Sequence, residues 1–322
     1  MSFEIILPFL KPIRHLLEAE TVSEIMVNPD SSVWIEEDAK MQLLSGIRFE
    51  DGALRTGLEV IANRFGKKLD ADSPILNLRL PDGSRLAAMV PPVVHPAPMM
   101  TIRKFTSRGF AMNDLIERDM LTPEQASTLV EVVQRGDNIL IAGGTNTGKT
   151  TLLNVLADAI PKKYRILVIE DTAELHIRKP HVVSAEAQLD THKSALTFED
   201  LLKAVLRHRP DRILVGEVRG PEARTLLDAM NTGHRGMLAT IHASSAEDAL
   251  YRLAMLAMRG NANIQIEAML SEVRHCLDSV VYVARRHGVR CVEEIYSTSG
   301  QRGDADESRN SRSTSNSPPR SR

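Results

Sequence analysis

The eight residues Gly143, Gly144, Thr145, Asn146, Thr147, Gly148, Lys149 and Thr150 satisfy every fixed position of the pattern Gly, four residues, Gly-Lys-Thr. An apolar, β-branched run of strand length (residues 138 to 143) leads into them, and Thr151 to Ile160 follows with helical spacing. Strand, loop and helix in this order are the context the motif requires. Gly143 and Gly148 let the backbone turn tightly, so that consecutive N–H groups and the positive end of the helix converge on a polyphosphate. Lys149 is then expected to neutralise the β and γ phosphates. Thr150 is expected to offer its hydroxyl to Mg²⁺, which takes oxygen ligands and keeps several waters. The cofactors expected from this loop are ATP and Mg²⁺.

A chain of 322 residues is long enough for two domains with proper cores. Its formal charge of −2 speaks against a general nucleic-acid binder, which usually carries a strongly basic domain, so no strong direct nucleic-acid binding is expected. Cys276 and Cys291 are the only cysteines and have no metal-ligand pair spacing. A disulfide framework is thereby disfavoured and a reducing, cytoplasmic setting fits. No apolar run reaches the roughly 18 residues of a membrane span, and Lys11, Pro12 and Arg14 interrupt the apolar residues where a signal peptide would need them.

Along the chain, Phe3, Ile6, Leu7, Leu10, Ile13 and Leu17 mark an amphipathic, proline-broken helix, fit to pack on an N-terminal domain or to make a peripheral membrane contact. Short strand-like runs between Val22 and Leu44, a helix from about Ala53 to Phe65, and three more strands ending near Phe105 make a small α+β domain, residues 1 to 105. Residues 106 to 122 read as a linker with one short helical piece. Thr122-Pro123-Glu124-Gln125 then starts a helix, with Thr122 as cap and Pro123 in the first position.

From 123 to 297, apolar strands alternate with amphipathic helices, which implies a mainly parallel sheet covered on both faces. The helix at 198 to 208 shows the repeat cleanly in Phe198, Leu201, Leu202, Val205 and Leu206. Residues 298 to 322 are Ser, Arg, Pro and Asn with almost no apolar side chain and read as a disordered tail.

Hydrolysis needs more than a phosphate loop: a group to orient or deprotonate water, and cations for developing charge. The strand Arg-Ile-Leu-Val-Gly-Glu delivers Glu217 to the ligand edge of the sheet, with Gly216 where many such sites place an aspartate. Metal contact must then be indirect or come from elsewhere. Glu170, Asp171 and Glu174 cluster at another strand end. His234 and His242 flank a third strand, but no further ligand sits at useful spacing for zinc, and His242 is expected to sense phosphate or couple to it.

Taken together, GGTNTGKT, VIEDTAEL, PDRILVGEVRG and GHRGMLATIHA resemble the Walker A, Asp box, Walker B and His box of the secretion-superfamily traffic ATPases. VSEIMVNPDSSVWIE and DGSRLAAMVPP resemble the conjugal-transfer, TrbB-type branch of type IV secretion. The resemblance covers nearly all of the chain except its tail. It implies a RecA-like P-loop domain beside a smaller α+β N-terminal domain, and a homo-oligomeric, hexameric ring on the cytoplasmic face of the inner membrane, peripheral to it and docked on secretion-channel proteins. It also implies that Arg85 and Arg103 reach the phosphates, for which the planar guanidinium suits. Glu217 and Glu170 become the candidates for handling the attacking water. The function implied is a Mg-ATP motor for conjugative DNA transfer or mating-pilus assembly. Competing readings are a type II secretion or type IV pilus motor, a DNA-stimulated recombinase or helicase, and a nucleotide-gated scaffold. The chain lacks the four-cysteine insertion of type II secretion ATPases.

Overall fold

The computed structural model describes residues 6–37, 40–104, 109–171, 174–187, 196–259 and 264–298. The chain divides into two compact units, Met1–Arg108 and Gly109–Arg322. No helix among the described residues is long and apolar enough to cross a membrane.

The first unit opens with a 3-10 turn at Leu7–Ile13 and α1 at Arg14–Glu18, followed by β1 (Val22–Val27), β2 (Val33–Glu37) and β3 (Lys40–Leu44). Helix α2 (Ala53–Arg64) and strands β4 (Ile75–Arg79), β5 (Arg85–Met89) and β6 (Met99–Arg103) complete it. The strands form one antiparallel sheet in the order β3-β2-β1-β6-β5-β4. Alternation decides its faces: Leu76, Leu78, Leu86, Ala88, Met100 and Ile102 point to a core that also takes Leu58 and Ile61 of α2. Helix α2 can lie close because Gly57 has no side chain; a Cβ there would stand 3.2 Å from that of Phe9.

Turned the other way, Arg79, Arg85, Arg103, Glu24 and Glu36 lie side by side across β4, β5, β6, β1 and β2. Lys104 leaves this sheet to donate its ammonium to the carbonyls of Leu16 and Ala19, capping the C-terminal end of α1.

The second unit begins with α3 (Met112–Glu117) and α4 (Pro123–Arg135). Thr122 Oγ1 accepts from Gln125 N at 3.1 Å, and Gln125 Oε1 accepts from Thr122 N at 2.9 Å, so the cap is the reciprocal kind. The alternating part follows as β7 (Ile139–Gly143), α5 (Lys149–Ala157), β8 (Ile166–Glu170), β9 (Val182–Glu186), α6 (Phe198–Val205), β10 (Arg212–Val215), α7 (Glu222–Asn231) and β11 (Leu238–His242). Helices α8 (Ala246–Ala257) and α9 (Ile266–Cys276) and the hairpin β12 (Ser279–Arg286) and β13 (Val289–Ser297) end it. Strand order is β13-β12-β7-β11-β10-β8-β9, parallel throughout except for β13. Ile139 and Ile141 face a core built with α4 and α5, while Leu140 and Ala142 face one built with α6 to α9. The sheet is therefore buried on both sides, as continuous apolar strands require.

The structure differs from the sequence pattern in three places. The stretch read as a linker is, from Phe110 onward, part of the second unit's packing: Leu115, Met120 and Leu121 are buried with Leu129 and Leu152, and Val292 N donates to Met120 O at 2.8 Å. Its apolar residues are too few and too scattered to show a period, so only tertiary contact reveals them. Helix α6 stops at Val205; Leu206–His208 is a 3-10 turn that ends with Arg209 in the left-handed region. Thr298, the first residue of the expected tail, is buried and donates its hydroxyl to Leu277 O, whereas the rest of that tail lies outside the described residues.

Candidate active site

Parallel register gathers the site. Strand β7 runs between β11 and β12, which sets His242 and Val283 beside Gly143. At Gly143 the close approach is literal: a Cβ would collide with the carbonyl oxygen of Val283 and lie 2.8 Å from Thr147 Oγ1. Gly148 takes φ 96° as the residue before α5, a conformation that glycine adopts without cost. Gly144, Thr145 and Asn146 are exposed, Thr147 is buried with its hydroxyl on Gly144 O at 3.0 Å, and Thr150 is half-buried in the first turn of α5. The tip of the loop is held from outside. Arg290 of β13 donates to Asn146 O at 3.1 Å and to Asn146 Oδ1 at 2.8 Å, an anchor that nothing in the local sequence announces.

Lys149 is only 7% exposed. Its ammonium donates to Gly143 O at 3.0 Å and Gly144 O at 2.7 Å, and stands 3.5 Å from His242 Nδ1. Burial pushes Lys149 below its ordinary pKa, with the Arg219 charge adding to the effect and Glu217 and Glu174 opposing it. Because ammonium can only donate, His242 Nδ1 accepts, which leaves the proton on Nε2, 3.0 Å from Glu217 Oε1. Burial first, then Lys149, holds His242 below its ordinary pKa, so the imidazole is neutral at neutral pH. The other Glu217 oxygen lies 2.6 Å from Arg219 Nη2. Burial alone would raise Glu217; the Arg219 hydrogen bond, the charges of Arg219 and Lys149 and the nearby His242 outweigh it and hold the carboxyl below its usual range. A continuous polar line thus runs from the phosphate loop through His242 to Glu217 and Arg219.

Glu170, the last residue of β8, has a different set of partners. It is 3% exposed, and its Oε1 accepts from Glu174 N at 2.7 Å and Leu175 N at 2.9 Å, fastening the loop that follows β8. The same side chain explains Gly216. Register sets Val215 beside Ile169, and a Cβ on Gly216 would stand 3.0 Å from Glu170 Cγ. A side chain at 216 would require Glu170 to give way by a few tenths of an ångström.

Glu222, which the sequence pattern passes over, is buried and accepts from Arg219 N and Gly220 N, each at 2.7 Å. His234 precedes β11 and His242 ends it, so the two histidines sit at opposite ends of one strand and share no metal site. Among the described residues no group of three His, Cys, Asp or Glu side chains could hold a metal ion. Arg85 and Arg103 belong to the first unit, in register across β5 and β6 with Arg79 beside them; Arg103 Nε is 3.8 Å from Glu24 Oε1.

Residues 9 to 315 match the family model described as "Type II/IV secretion system protein". The chain belongs to that family. Among its type II/IV secretion relatives, "Conjugal transfer protein TrbB" of Rhizobium radiobacter is 35% identical over 291 residues, 89% of this chain and 86% of that one. The crystal structure of the VirB11 ATPase from the Brucella suis type IV secretion system aligns with a TM-score of 0.53 at 25% identity, over 94% of this chain and 97% of that one. The pilus retraction motor PilT, solved with bound ADP, aligns with a TM-score of 0.67 at 19% identity over 95% and 88%, which speaks for a shared fold alone. The fold is accordingly that of a RecA-like P-loop secretion ATPase with an N-terminal domain.

Proposed function

We propose that this secretion-family chain hydrolyses Mg-ATP as an oligomeric motor of type IV secretion, powering conjugative DNA transfer or mating-pilus assembly. The observation that carries the reading is the line from Lys149 through His242 to Glu217, placed at the C-terminal ends of parallel strands where α/β sheets bind ligands. Relationship to a conjugal transfer protein over most of both chains supports the conjugative assignment. A homo-hexameric ring, peripheral to the cytoplasmic face of the inner membrane and docked on secretion-channel proteins, is the assembly this reading entails.

The loop fits a triphosphate. Its exposed residues Gly144 to Asn146, the tight turn that Gly143 and Gly148 permit, and the N-terminus of α5 all favour an anion. Lys149 releases Gly143 O and Gly144 O to meet the β and γ phosphates. Thr150 would hold Mg²⁺ through its hydroxyl, and the metal would supply neutralisation of charge on the phosphates. Gly216 supplies no carboxylate for it.

Glu217 orients the attacking water and accepts its proton, since its Oε1 lies beside His242 of the phosphate-loop line while Oε1 of Glu170 is taken by two N–H groups of the loop after β8. Neutral His242 accepts from Lys149 and lies 3.0 Å from Glu217, so movement of Lys149 onto phosphate changes the field at the carboxylate. Arg85 and Arg103, in register on the first unit's sheet, are the cations that the family resemblance nominates for the phosphates.

Glu217→Gln should still bind ATP and hydrolyse it at least about a hundredfold more slowly, the scale of a lost general base. Glu170→Gln should instead lower the melting temperature. A fully active Glu217→Gln beside a folded but inactive Glu170→Gln would transfer the role.

A further inference from the structure

Arg219 is the closest cation to Glu217, and the reading above gives it no task. Its backbone is fixed on both sides: its N–H donates to the buried carboxylate of Glu222 at 2.7 Å, and its carbonyl accepts from Arg259 Nη1 at 3.2 Å. From that fixed point the guanidinium reaches two carboxylates on different loops. Nη2 is 2.6 Å from Glu217 Oε2, after β10, and Nη1 is 3.4 Å from Asp171 Oδ2, after β8. His242 Nε2 lies 3.0 Å from the remaining Glu217 oxygen without a hydrogen bond to it, so the guanidinium is the group whose hydrogen bond sets the carboxylate's orientation.

The two neighbours of the carboxylate differ. His242 is a strand residue tied to the phosphate loop, while the Arg219 side chain is 62% exposed against 18% for Glu217. A planar fork suits this job better than a point charge, because it engages two acceptors in a fixed geometry.

We propose that Arg219 is the positioning residue of the hydrolytic site, acting through Glu217 by bridging it to Asp171 and so tying the aim of the catalytic carboxylate to the loop after β8. The inference rests on the reading of Glu217 as the residue that handles water. Groups facing Glu217 come from three other elements: Lys149 of α5, His242 of β11 and, across the guanidinium, Asp171 and Glu174 after β8. Burial raises Glu217, and Arg219 is the largest influence opposing it. Removing the guanidinium therefore lets Glu217 protonate at higher pH as well as rotate.

The full-length chain is assayed for ATP turnover across pH as Arg219→Met, Arg219→Lys, Glu217→Gln and the Glu217→Gln/Arg219→Met double variant. Arg219→Met is expected to lose about tenfold or more in kcat with KM changed much less, the pattern of an interaction that matters in the transition state. Its acid limb should move to higher pH, with Arg219→Lys recovering part of both. In the Glu217→Gln background the second substitution should cost less than about twofold, because residues that act as a unit are not additive.

A pH profile of Arg219→Met that superimposes on the parent, or full multiplicative loss in the double variant, would overturn the inference while leaving Glu217 in its role. An undiminished rate in Glu217→Gln would overturn both. Should Arg219→Met fail to fold, Asp171→Asn replaces it: a smaller loss of kcat that Glu217→Gln abolishes supports the bridge, and no loss refutes it.

Discussion

The two sheets of this chain use cations in opposite ways. In the second unit every residue of β7 and β8 is buried, helices cover both faces, and polar chemistry has nowhere to go except the strand ends. Lys149 is accordingly fixed and nearly inaccessible, with two loop carbonyls on its ammonium. In the first unit β4 alternates between buried and exposed residues, and the face turned away from the core carries Arg79, Arg85 and Arg103 in one row. A parallel sheet concentrates charge at an edge and preorganises it, whereas an antiparallel sheet with one apolar face displays charge across a surface. Preorganised groups contribute most where charge develops during reaction, and displayed groups where a ligand arrives.

Breaking the preorganised side should have the larger effect. Lys149→Ala is expected to reduce turnover by about a hundredfold or more, the scale of losing one electrostatic donor in a catalytic site. It also leaves Gly143 O and Gly144 O without that donor, so the melting temperature should fall slightly while the far-ultraviolet spectrum stays the same. A folded Lys149→Ala protein with parental turnover would remove the loop from the mechanism.

Next in size is Gly216→Asp, which puts a carboxylate on the residue before Glu217. Here it should destabilise the second unit by about 1–3 kcal/mol, as overpacking does, and gain no Mg²⁺ affinity, because Glu170 already fills the space. Denaturant unfolding and a metal titration read the two halves separately. Tighter Mg²⁺ binding at unchanged stability would show that the Glu170 side chain gives way.

On the displayed side, Arg85→Ala and Arg103→Ala should each weaken ATP binding by about tenfold and ADP binding less, the scale of one charge-assisted hydrogen bond. Nucleotide titrations test this, and equal losses for ATP and ADP would argue against contact with the terminal phosphate. The smallest effect belongs to Arg79→Glu. It sets a carboxylate opposite Arg85 in place of a like charge and should stabilise the first unit by about 0.2–1 kcal/mol. A loss of stability would mean that the row is already balanced by other partners.

Much of this was legible in the residues. The loop at 143 to 150 announced itself because its chemistry is local: glycines, a lysine and a helix start at fixed spacing, all within one turn of chain. The doubly covered sheet was legible for a related reason, since burial on both faces forces apolar runs. Glu217 and His242 were picked out as strand-end residues, and the cap at Thr122 as a short reciprocal pattern. Arg290, Glu222 and the packing of Leu115, Met120 and Leu121 left no such trace, because each works on a partner distant in sequence or through a backbone atom.

What the sequence determined by itself, then, was the set of groups available to a phosphate ligand and the class of sheet that presents them, for both depend on neighbours within about ten residues or on simple periodicity. Tertiary structure decided which donors surround each carboxylate. Glu170 and Glu217 both stand at strand ends and look equivalent in the sequence. Parallel pairing of β8 with β10 gives Glu170 the space beside Gly216 and the N–H groups of Glu174 and Leu175, while Glu217 is left with His242, Arg219 and the side toward Lys149. A carboxylate's role follows from the donors around it, and only the folded sheet brings those donors together.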